Sequence, residues 1–132
     1  LVMPVGAINV AGRTAFKIIR RLREELKVNT TCGASNISFG LPNRHALNGA
    51  FLCMASGAGM TSAIMNPCRP QEMEMVRAAN VLKGNDPDCM NWIRTYKDYK
   101  PGAEHAAPAP VAAPAASGGG RRGGRAARLA QG

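Results

Sequence analysis

No stretch of this 132-residue chain is apolar for long enough to cross a bilayer. The longest weakly polar run, 46–58, is broken by Asn48, Ser56 and glycines and falls well short of the roughly 20 residues a span needs. Cysteine occurs only as four scattered residues, Cys32, Cys53, Cys68 and Cys89, with no C-x-x-C pair and no neighbouring His pair. Metal-ligand spacing is therefore missing, and four reduced thiols in a cytoplasmic protein are expected. Acidic residues stop at Glu104, and no aromatic residue follows it.

The charge that is present is positive. Of 17 Lys and Arg against 8 acids, the last four (Arg121, Arg122, Arg125, Arg128) lie in the final 12 residues, giving a net charge of +9. The excess divides between a mildly basic body and a basic tail. Such a charge attracts anionic partners without naming one. The chain opens at Leu1 inside an apolar run, which predicts a C-terminal piece cut from a longer protein.

The spacing predicts alternating strands and helices. Strands are expected over 1–5, 28–32 and 61–66. A helix over 14–27 follows from Ala15, Ile18, Ile19, Leu22 and Leu26 at i, i+3, i+4, i+7 spacing, with Lys17, Arg20, Arg21, Arg23 and Glu24 on its solvated face. A second helix is announced by Asn43 as a cap and by the stripe Leu47, Ala50, Phe51, Met54, Ala55, Ala58, ending at Gly57 and Gly59. Pro70 is placed to open a third, with Glu72 and Glu74 in its first turn, and Gly84 closes it. Asp88 is expected to cap a last helix carrying Trp92, Ile93 and Tyr96. The methionines at 54, 60, 65, 73 and 75 suit core packing.

That order, β-α-β-α-β-α-α, is the order of parallel α/β architecture, in which ligands bind at the carboxyl ends of strands. The end of the second expected strand is Cys32-Gly33-Ala34-Ser35-Asn36-Ile37-Ser38-Phe39-Gly40-Leu41-Pro42-Asn43-Arg44. Ser35, Asn36 and Ser38 offer hydrogen-bonding groups without charge.

Those residues, with Asn29-Thr30-Thr31 before them and Leu47-Asn48, Phe51-Leu52 and Gly59-Met60-Thr61-Ser62-Ala63-Ile64 after them, resemble the pterin-binding domain of methyltetrahydrofolate:corrinoid methyltransferases, a domain also found in cobalamin-dependent methionine synthase. The resemblance covers about residues 1–100 and rests on the patterns G-x-S-N-I-S and N-R-x-x-x-N-x-x-F-L. It implies that 1–100 are the C-terminal three β/α units of a TIM (β/α)8 barrel, a partial pterin-binding domain. It implies a methyl transfer from N5 of methyltetrahydrofolate, the methyl donor, to the cobalt of a cobalamin or related corrinoid held by a partner protein or domain. It assigns Asn36 a place near N5, Gly33 and Ser35 the lining of the pterin slot, and Arg44 a place near the outer folate. A homodimer is expected of the parent, and the fragment alone is expected to be inactive.

From Pro101 onward Ala, Pro, Gly and Arg dominate. Such a composition cannot bury enough apolar surface to offset ordering entropy, so 101–132 is expected to be disordered. Arg122-Gly123-Gly124 is similar to RNA-binding RGG segments, but one copy without an aromatic residue disfavours nucleic acid as a partner. The alternative to the enzyme reading is a non-catalytic basic module that engages nucleic acid or an acidic partner.

Overall fold

The computed structural model describes residues 2–100, and the expected tail, 101–132, lies outside the described residues. One compact unit reaches to Asp98. Its elements are α1 (Ala11–Arg21), continued by a π-type turn over Leu22–Leu26, a 3-10 turn over Ala34–Ser38, then α2 (Arg44–Gly57), α3 (Pro70–Leu82), a 3-10 turn over Pro87–Cys89 and α4 (Met90–Tyr96). No helix among the described residues is long and apolar enough to cross a membrane.

The three β/α units of a TIM barrel are not what the chain adopts: no strand is formed among the described residues, and their regular structure is helical. The expected strands 28–32 and 61–66 do run side by side, but a single parallel bridge, Gly33 with Ile64, joins them. Ser62 N donates to Thr30 O at 3.1 Å, Ile64 N to Cys32 O at 2.8 Å, and Ala34 N to Ile64 O at 3.1 Å. The reason a ladder stops there is visible at its start. Thr30 N, which a ladder would turn toward a main-chain carbonyl, donates instead to Thr61 Oγ1 at 2.9 Å, while the Thr61 and Ser62 hydroxyls both reach Thr30 O. Short hydroxyl side chains offer the backbone these local alternatives and weaken sheet pairing. Near the N-terminus, Pro4 has no N–H to give, and Ala7 N and Ile8 N both fold back onto Pro4 O, which turns the chain out of an extended course. Val5 N does reach Ile37 O at 2.9 Å, so this segment is tied to the 3-10 turn rather than to a neighbouring strand.

The helices follow the sequence more closely. Pro70 takes the first position of α3, and Gly84, at φ +72°, lies just past its end. Asn43 precedes α2 in the left-handed region without a side-chain cap. The core joins Ile19 of α1, Ala34 and Ile37 of the 3-10 turn, Phe51, Leu52 and Ala55 of α2, and Ala58 and Met60 beyond it. Phe16 and Phe51 stack at 5.5 Å between ring centroids. Burying such a cluster is the main force that holds a domain of this size. The buried face of α2 is Asn48, Gly49, Phe51, Leu52 and Ala55, while Met54 of the expected stripe is exposed. Gly49 sets the approach of α3, because a Cβ there would lie 2.8 Å from Met75 Cγ.

Candidate functional site

The segment 33–44 leaves the parallel contact, makes one 3-10 turn and enters α2. Asn36 N bonds Gly33 O at 3.3 Å, Phe39 N bonds Asn36 O at 3.2 Å, and Leu41 N bonds Ser38 O at 3.0 Å. Ala34, Ile37 and Ser38 point inward and are buried, which leaves Ser35 and Asn36 on the outside. The turn's period of three puts 34 and 37 on one inward side, whereas Ser35 and Ser38, also three apart, differ, Ser35 being exposed and Ser38 buried. The Asn36 amide folds back over Gly33, whose missing Cβ would lie 3.2 Å from Asn36 Nδ2. Gly33 is thus the residue that makes room for that amide. Asn36 presents both an acceptor oxygen and donor hydrogens, and no hydrogen bond occupies either among the described residues.

Arg44 is committed to the turn itself. Its Nη2 donates to Ser35 O at 2.8 Å and its Nε to Ser38 Oγ at 3.1 Å, while the guanidinium lies 5.7 Å from the Phe39 ring centroid. The structure therefore brings Gly33, Ser35, Asn36 and Arg44 into one loop, with Arg44 bound to the backbone of that loop.

Behind it runs a buried polar chain that the sequence reading did not single out. Ser38 Oγ donates to Asn48 Oδ1 at 2.7 Å, Asn48 Nδ2 donates to Glu72 Oε1 at 3.0 Å, and His45 Nδ1 lies 2.9 Å from the same carboxylate oxygen. Ser38, Asn48 and Glu72 are 0%, 3% and 3% exposed. A carboxylate this deep needs donors, and α2 supplies both. The signal in the sequence is Asn48 itself, a lone amide at i, i+4, i+7 with Leu52 and Ala55. Glu72 lies in the first turn of α3, as expected, with its carboxylate turned inward.

A cavity of about 710 Å³ lies elsewhere, between the C-terminal half of α2, α3 and the segment 60–65, with Leu52, Ser56, Met60, Val76 and Lys83 among its lining residues. None of Gly33, Ser35, Asn36 or Arg44 lines it. Among the described residues no cluster of three His, Cys, Asp or Glu could hold a metal ion. Burial pushes the Cys32 and Cys53 thiols above the usual range, so both favour the protonated, unreactive form. The basic face of α1 is partly engaged: Arg21 pairs with Glu25 at 2.8 Å, and the stem of Arg23 lies where a Gly59 Cβ would stand.

No family model matches the chain. Its likeness is to a methyltransferase that works between corrinoid and folate. That relative is the methylcorrinoid:tetrahydrofolate methyltransferase of Eubacterium limosum, 37% identical over 75 residues, which are 57% of this chain and 28% of the relative. The matched part thus spans little more than a quarter of the relative's length.

Proposed function

We propose that this chain contributes to methyl exchange between N5 of tetrahydrofolate and the cobalt of a corrinoid carried by a partner protein or domain, and that the 33–44 loop supplies contacts to the pterin. The observation that carries this is the 37% identity to the Eubacterium limosum enzyme. The exposed, unoccupied Asn36 amide supports it. The relative's name gives the methyl as leaving the corrinoid, whereas the resemblance to methyltetrahydrofolate:corrinoid methyltransferases implies that it arrives there. One transition state serves both directions, so the same contacts are needed in each.

Asn36 suits the chemistry. A neutral tertiary amine is a poor leaving group, so N5 has to carry positive character while a methyl leaves it. The amide oxygen of Asn36 accepts from N5–H, and the amide nitrogen donates to unprotonated N5. A group that serves both forms stabilises charge as it develops without taking the proton itself. Ser35 adds a neutral hydroxyl beside it, Gly33 clears space for the amide, and Arg44 keeps the turn in shape. The corrinoid, when its carrier is docked, supplies the metal centre that gives or takes the methyl group.

The experiment is a tetrahydrofolate titration of the intact protein, paired with a spectroscopic assay of cobalt methylation on a corrinoid protein. Binding that weakens in Asn36→Ala, together with a fall in kcat/KM, is expected. A protein that takes up no folate would remove the proposal.

A further inference from the structure

We infer that Asn48 and Glu72 are positioning residues for the Asn36 loop, an inference that rests on the proposed role of that loop in folate binding. The 3-10 turn has little to hold it from within, since its own bonds Asn36 N to Gly33 O and Phe39 N to Asn36 O are long, at 3.3 and 3.2 Å. Such turns have poorer hydrogen-bond geometry than an α-helix and are held by what surrounds them. The anchor is Ser38, two residues from Asn36 and 0% exposed.

The direction of each proton in the buried chain is set from its far end. Glu72 Oε1 can only accept, so Asn48 has to face it with Nδ2, at 3.0 Å. That choice fixes the Asn48 amide and turns Oδ1 toward Ser38. The Ser38 hydroxyl has one proton and gives it to Oδ1, at 2.7 Å, in preference to Ser35 O at 3.3 Å. Its lone pairs are then free to receive Arg44 Nε at 3.1 Å, and the same guanidinium reaches Ser35 O at 2.8 Å. The sequence of donors is Arg44 to Ser38 to Asn48 to Glu72, with His45 Nδ1 facing the same carboxylate oxygen. An acceptor on α3 thereby sets the geometry of residues 35–38, and every link is satisfied, as a buried network requires.

The test uses the intact protein with four substitutions, Glu72→Leu, Glu72→Gln, Asn48→Asp and Ser38→Ala. Hydrogen exchange is read at the Phe39 and Leu41 amides, with the 17–21 amides of α1 as the internal control, and tetrahydrofolate affinity is read by titration. Leu removes the terminal acceptor, and Asp at 48 turns a second carboxylate toward the first. Both are expected to lower loop protection and to raise the folate Kd by about tenfold or more, with α1 protection unchanged. Gln still offers an acceptor of the same shape and is expected to stay within about threefold of the parent. Should the larger changes prevent folding, Ser38→Ala deletes one hydroxyl and is read in the same way. Unchanged loop protection in Glu72→Leu, or in Ser38→Ala where that variant carries the test, overturns the inference, as does an equal loss at α1. A loosened loop with unaltered folate affinity leaves the anchoring in place and removes the proposed contact of the loop with folate instead.

Discussion

The Ser38 hydroxyl donates to Asn48 Oδ1 at 2.7 Å, joining two buried side chains ten residues apart. Neither can turn to water, so each depends on the other. Replacing Asn48 by Leu leaves the Ser38 hydroxyl and the Glu72 carboxylate short of a partner and is expected to lower stability by about 1–3 kcal/mol. A denaturant-unfolding double-mutant cycle with Ser38→Ala measures the link. The two changes should be non-additive, with a coupling of at least about 0.5 kcal/mol. Strictly additive effects would mean that the short contact carries no energy of its own.

Asn36 should behave in the opposite way. Its side chain is exposed and takes no part in the core, so Asn36→Ala is expected to shift the unfolding free energy by no more than about 0.5 kcal/mol. In the intact protein the same change should lower kcat/KM for methyl transfer by about 100-fold, the scale on which single preorganised hydrogen bonds to developing charge act. Stability lost in step with activity would point to a structural amide.

Gly49 is where α2 and α3 come closest. A Cβ there would stand 2.8 Å from Met75 Cγ and 3.4 Å from its Cβ. Gly49→Ala sets an improved helix propensity of about 1 kcal/mol against that crowding, and Met75, which is partly exposed, has room to yield. Gly49→Val adds two branches at Cβ and gives up most of the propensity gain. It is expected to destabilise by about 1–3 kcal/mol, read as a lower midpoint in thermal unfolding, whereas Gly49→Ala should stay near the parent. Equal midpoints for Val and the parent would show that the helices move apart freely.

These side chains also mark what could be read from the chain and what could not. Helices α2 and α3 were legible because apolar spacing, Pro70 and Gly84 act within a few residues of one another. The strands were not, because a strand needs a lateral partner and the outcome at Thr30 was settled by hydroxyls 31 and 32 residues away. Ser35 and Asn36 were legible as neutral polar groups on a loop. The tie from Ser38 to Asn48 to Glu72 was not, since it links three elements and no local spacing announces it. The stripe drawn for α2 took Met54 as core and passed over Asn48, although a lone amide among Leu52 and Ala55 on one face is the trace such a network leaves. The cap of α4 was misplaced for a similar reason: Asp88 looks nearer the helix, but it is Asp86 whose carboxylate receives the Asn91 and Trp92 amides, at 3.0 and 2.9 Å.

That cap predicts a local acid transition. The Asn91 backbone N–H bonded to Asp86, with Trp92 N–H and the Asn91 side chain beside it, holds this carboxyl below the usual aspartate range. A carboxyl depressed in the folded state gives stability that is fully present above its unfolded pKa, about 3.9. That stability is lost as the pH falls through the lower folded value. The α4 end of the chain should therefore hold its structure down to about pH 4 and loosen below it. Trp92 is the single tryptophan and packs on Tyr96 at 4.3 Å between ring centroids, so its emission reports α4 directly. Glu25 is also depressed, by Arg21, but it sits beyond α1, and a helicity signal would mix the two groups where Trp92 emission does not. Asp86→Asn keeps an acceptor at the cap and removes the charge, so the step in Trp92 emission below about pH 4 should disappear. A variant that keeps the step at the same pH would assign it to another carboxylate and break the link between Asp86 and α4.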